Sequence, residues 1–124
     1  MATPNEHFDW AEANERFAAS VDRSDPVAAG WAITALFYAA LHYVDSCFAS
    51  RGVARGLTHY QRDGKIQDDA DLRTIWPDYR RLKDMSREAR YQLAQYGEPD
   101  YSKALKLLEK VRSRALVYRR RKEL

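Results

Sequence analysis

Apolar positions run longest from Trp31 to Phe48 (WAITALFYAALHYVDSCF), and their spacing is helical. Phe37, Leu41, Val44 and Phe48 fall at i, i+4, i+7 and i+11, one apolar stripe. Tyr38, His42 and Asp45 fall at i, i+4 and i+7, a second stripe turned by about one residue's rotation. Alanines fill much of the remainder, so little of this helix suits water. It reads as a central helix, and its polar side chains must find partners.

The flanking text continues the helical pattern. Phe8, Ala11, Glu15 and Ala18, with Trp10, Asn14 and Phe17 beside them, predict a first amphipathic helix over about 5–21. Residues 22–25 break it. Asp25-Pro26 then supplies an N-cap and a first-turn proline, and the central helix runs to about Ser50, ended by Gly52. Residues 52–70 read as a loop holding a short helix that begins near Thr58. Loops of that length inside small domains tend to be functional. Ile75, Tyr79, Leu82, Ser86, Ala89 and Leu93 form the inner face of a third main helix over about 71–95. Pro77 either kinks it or marks its start at Trp76-Pro77. After the break at 96–99, Asp100 is placed to cap a last helix with Tyr101, Leu105, Leu108, Val111 and Ala115 inward.

Composition narrows the class. The 124 residues are 45% hydrophobic and 31% charged, which suits one folded domain over 1–124 with its own core. Alternating β-branched runs are absent, while Ala, Leu, Arg, Glu and Lys abound, so the fold class is all-α. Cys47 is the only cysteine, which precludes an intrachain disulfide and makes a reducing cytoplasm the default location. Three scattered histidines make no metal motif, and no cofactor is expected. The N-terminal text carries acidic residues and no apolar segment of the signal-peptide kind. His42 and Asp45 interrupt the central run, so it reads as a core helix and not a membrane span. Net charge is only +3, but Arg112, Arg114, Arg119, Arg120, Arg121 and Lys122 crowd the end, 112–124. That suits an anionic partner such as nucleic acid, or equally a solvated helix end whose cations complement the macrodipole.

Serine-nucleophile, P-loop, dinucleotide and HExxH motifs are absent, leaving a short list of chemistry-bearing residues. His42 with Asp45 one turn away can work in acid–base chemistry or be a satisfied core pair. His59 and Arg62, three apart at a helix start, can present an imidazole and an anion-gripping fork on one side. Arg87, Arg90 and Tyr91 border the inner face of the third helix. Arg90 is expected either to ion-pair with Asp45 or to stand in a cleft as an anion ligand.

Three blocks in order, Phe37 through Asp45, His59 with Arg62, and Tyr79, Leu82 and Ser86 through Tyr91, resemble small bacterial HEPN-domain proteins. The resemblance covers about 5–115. It implies an up-and-down bundle of four to five helices, commonly a homodimer. It also implies metal-independent ribonuclease chemistry of toxin–antitoxin or defence systems, with RNA as substrate and an antitoxin as possible partner protein. On that basis His59 is general acid/base, Arg62 and Arg90 hold the scissile phosphate with Arg87 and Tyr91 nearby, and His42 and Asp45 orient the site. In catalytic members an arginine precedes the histidine with four to six residues between. Here Arg55 and Arg51 precede His59 with three and seven between. The alternative is therefore a non-catalytic module that binds nucleic acid, a nucleotide or a partner protein.

Overall fold

The computed structural model describes residues 2–53 and 56–123, with side chains to 120. Among them there is no strand. Five helices follow in order: α1 (Pro4–Ser20), α2 (Pro26–Ser50), α3 (His59–Asp68), α4 (Trp76–Tyr91) and α5 (Glu98–Glu123), with a 3-10 turn at Leu72–Ile75 before α4. The all-helical class read from composition is what the chain adopts.

Local chemistry explains most boundaries. At the head of α1, Thr3 accepts from the Glu6 amide and Glu6 returns the bond to the Thr3 amide, a reciprocal cap. Asp25 caps α2 by accepting from the Val27 amide at 2.9 Å. α2 stops at Gly52, whose φ of +72° is open to glycine without strain. There the Val53 amide reaches the Phe48 carbonyl and the Gly52 amide reaches that of Ala49, a Schellman ending.

At the later helices the structure selects one alternative and corrects two bounds. Pro77 starts α4 and does not kink it, because the 3-10 turn delivers the chain with the proline already in the first helical turn, where its missing N–H is harmless. α4 then ends at Tyr91, short of 95. Leu93 is exposed at φ +55° and the Ala94 amide bonds back to the Glu88 carbonyl, so Leu93 is no part of the inner face. α5 begins at Glu98, earlier than expected. Asp100 serves it from inside, accepting the Gly97 amide at 3.0 Å.

α2 is the axis against which α1, α4 and α5 pack. Ile33, Leu36, Phe37, Tyr43 and Val44 from α2 meet Tyr79 and Leu82 from α4 and Leu108 and Val111 from α5. By length and composition α2 could cross a membrane, yet 72% of its apolar window is buried by the other helices. The basic end is partly consumed by the fold: Arg112 ion-pairs with Glu15 at 2.6 Å, and Arg119 donates to Asn5 while lying over the Phe8 ring. Both tie α5 to α1. The side chains of Arg121 and Lys122, like Arg55, lie outside the described residues.

Candidate functional site

From Ala29 to Phe48, α2 is buried except at Trp31, Tyr38, His42 and Asp45. These stand at i, i+7, i+11 and i+14, so the one face of the core helix that reaches solvent is also its polar and aromatic stripe. α1, α3 and α4 bring side chains to this stripe.

At its far end, α3 is moored by Arg62. The guanidinium donates through Nε and Nη2 to the two oxygens of Asp45, at 2.8 and 3.0 Å, and through Nη2 to the Leu57 carbonyl at 3.2 Å. Arg62 is only 6% exposed. Of the two alternatives for Arg90, the ion pair with Asp45 is the one the structure removes: that place goes to Arg62, because α3 folds back over Asp45 while Arg90 stands further along the stripe. Burial opposes the charge on Arg62, but the bonds and charge of Asp45 outweigh it and hold the guanidinium firmly protonated. The Tyr79 hydroxyl lies buried beside Arg62 of this pair.

The mooring sets His59 at the first position of α3, with Thr58 and Gln61 forming a reciprocal cap beneath it. His59 is exposed, with its ring 6.0 Å from that of Phe37. Partial desolvation, then the positive charges of Arg62 and Lys83, lower its pKa below the ordinary 6.5. The imidazole is therefore neutral near pH 7, a state able to accept a proton.

His42 is occupied differently. Its Nδ1 lies 3.1 Å from Nδ1 of His7 on α1, and the ring centroids are 5.4 Å apart, so the two nitrogens meet nearly in line and share one proton. Trp10 stacks on the outer side of the same imidazole at 6.3 Å. Burial first, and then His7, lower the His42 pKa, with Asp45 opposing.

From α4, Arg90 donates to the Tyr38 hydroxyl at 3.4 Å and to the Ser86 carbonyl at 3.3 Å, and lies over the rings of Tyr91 and Tyr38. Among the described residues it has no carboxylate partner, whereas Lys83 is paired with Asp63. Arg87 is exposed on the same helix and likewise has no ion pair among the described residues. Tyr91 is 73% exposed.

The structure thus gathers His42, Asp45, His59, Arg62, Arg90 and Tyr91 around one stripe and leaves Arg87 at its margin. His7, Trp10, Tyr38 and Lys83 belong there too, though sequence reasoning did not place them in the site. Tyr38 alone carried a signal, its position one turn before His42. Cys47 is no nucleophile, since burial pushes its thiol up to about 12. Among the described residues, no group of three or more His, Cys, Asp or Glu side chains is arranged to hold a metal. No family model, curated protein or solved structure matches this chain.

Proposed function

We propose that this chain is a HEPN-like helical domain that binds single-stranded RNA across the α2 stripe and cleaves it by attack of the ribose 2′-hydroxyl. The observation carrying the proposal is an exposed His59 among the cations of Arg62, Lys83 and Arg90, the last without a carboxylate partner among the described residues. A neutral imidazole accepts the 2′-hydroxyl proton while Arg90 steadies a non-bridging phosphate oxygen. The 2′-oxygen bonds to phosphorus, the bond to the 5′-oxygen breaks, and that oxygen recovers a proton from the imidazolium. Products carry 2′,3′-cyclic phosphate and 5′-hydroxyl ends. We place this activity in a cytoplasmic toxin–antitoxin or defence system, the protein acting as a homodimer restrained by a partner protein.

One observation favours a second reading. Arg62 is held by Asp45 and His42 by His7, so among the described residues of the stripe what is left for a ligand is the His59 imidazole and the Arg90 guanidinium. That set suffices for binding RNA or a nucleotide without turnover. Incubating the protein with single-stranded RNA in excess EDTA, beside His59→Ala, separates the two. Cyclic phosphate ends that disappear in the variant support the nuclease. Tight binding with no cleavage, unchanged by His59→Ala, leaves the binding module. Absence of both overturns the site.

A further inference from the structure

An open groove of about 530 Å³ lies between the first half of α2 and the end of α4, and of its lining only Arg90 has a part in the proposed chemistry. Its volume is that of a small-molecule site. Trp31, 55% exposed, and Tyr91, 73% exposed, line it, with Leu93 at the rim. Large aromatic rings left in water next to a cleft are otherwise unfavourable surface. The helices come close beneath them: a Cβ on Gly30 would stand 3.4 Å from that of Ala89, so the floor is flat and made of small residues. Thr34 spends its hydroxyl on the Gly30 carbonyl at 2.9 Å, leaving the floor without an unpaired polar group there.

Among the lining residues the only charge is the cation of Arg90, and Gln95 supplies the only side-chain amide. Arg90 also binds Tyr38 and is one of the cations acting on His59, so it borders both the groove and the phosphate patch. Trp31 and Tyr38 share a face of α2 seven residues apart, about 10 Å at the helical rise.

We propose that this groove is a nucleobase subsite, in which Trp31 and Tyr91 stack a base of the RNA strand whose phosphate lies at Arg90. It rests on the reading of the site as a phosphodiester-binding one. The ligand the lining calls for is flat, aromatic and attached to an anion; the exposed Gln95 amide, without a hydrogen bond among the described residues, can meet a base edge.

The test uses a fluorescein-labelled RNA hexamer carrying 2′-O-methyl groups, which cannot be cleaved through the 2′-oxygen, and an abasic hexamer with the same phosphates. Trp31→Ala weakens binding of the base-bearing hexamer about tenfold, as loss of one stacking partner does, and leaves the abasic affinity unchanged. Tyr91→Ala repeats the pattern, and Arg90→Gln weakens both ligands. If the two aromatic variants bind both hexamers like wild type while Arg90→Gln binds neither well, the base subsite is overturned and the phosphate site stands. If wild type binds neither hexamer, the site reading fails and the inference with it. If Trp31→Ala dissociates a dimer in sedimentation while hexamer affinity holds, the groove belongs to a second copy and the inference is again overturned.

Discussion

Arg62 and Arg90 border the same stripe of α2, and their surroundings are opposite. Arg62 is buried, with both ends of its fork on Asp45 and a third bond to Leu57. Arg90 is half-buried, with a tyrosine hydroxyl, a backbone carbonyl and two ring faces for company. A guanidinium whose donors and charge are met inside the protein has little left for a ligand. One stacked on tyrosines keeps its full charge facing out. Arginine in a polar cluster is therefore no single kind of evidence: the first fastens α3 to the core, and the second keeps a charge with which an anion could pair.

Removing Arg62 should be the most damaging change, because it leaves the largely buried Asp45 carboxylate without its partner. Arg62→Ala is expected to lose about 3–5 kcal/mol in chemical denaturation, while Arg62→Met with Asp45→Leu recovers most of it. A loss below about 1 kcal/mol for the single variant would break the contrast. Arg90→Gln should behave inversely. Its denaturation curve is expected to overlay wild type, while RNA affinity falls roughly tenfold or more, the scale of a lost charge-assisted bond. Weakened folding with intact affinity would make Arg90 a second architectural arginine.

The sequence made the first contrast hard to see. Helix existence was legible from strong local signals: the Trp31–Phe48 run, the Asp25-Pro26 cap, and Thr58 before α3. The three blocks that meet at the stripe were legible as well, since His42, Asp45, His59, Arg62 and Arg90 all arrive there. Which charge pairs with which was not, because that depends on how α3 folds back over α2, a tertiary fact with no periodicity behind it. His7 was missed for the same reason: its partner lies 35 residues away, and nothing in α1 marks it. The end of α4 was misjudged because Leu93 continues the apolar spacing while its backbone has already turned to positive φ.

The histidines repeat the contrast, and pH sharpens it. His42 shares a proton with His7, whereas His59 has no such partner among the described residues and stands near more cations than carboxylates, and both His42 and His59 have pKa values lowered from 6.5. Folding favours their neutral forms, so the unfolded chain binds more protons in acid. Stability is complete above about pH 6.5 and declines as pH falls below it toward the folded-state values. The melting temperature should therefore be lower at pH 5.5 than at 7.5. His42→Gln is expected to shrink that difference, because the in-line pair cannot carry two protons without setting N–H against N–H. An undiminished difference in the variant would place the acid sensitivity elsewhere.

The smallest expected effect tests whether mooring and positioning are separable within α3. Thr58 accepts the Gln61 amide at 3.1 Å, and the Gln61 side chain accepts the Thr58 amide at 2.9 Å. Thr58→Ala removes one of these bonds at the residue before His59, and cap losses of this kind cost about 1 kcal/mol. Arg62, one turn further in, is held by Asp45 and not by the cap, so the rest of α3 should stay docked. Cleavage is then expected to fall while RNA affinity through Arg90 is unchanged. Thr3→Ala, which breaks the same kind of cap on α1, is the control: a similar loss of stability without the loss of cleavage. If both variants reduce cleavage equally, α3 acts only through the stability of the whole, and the cap beneath His59 has no part in aiming it.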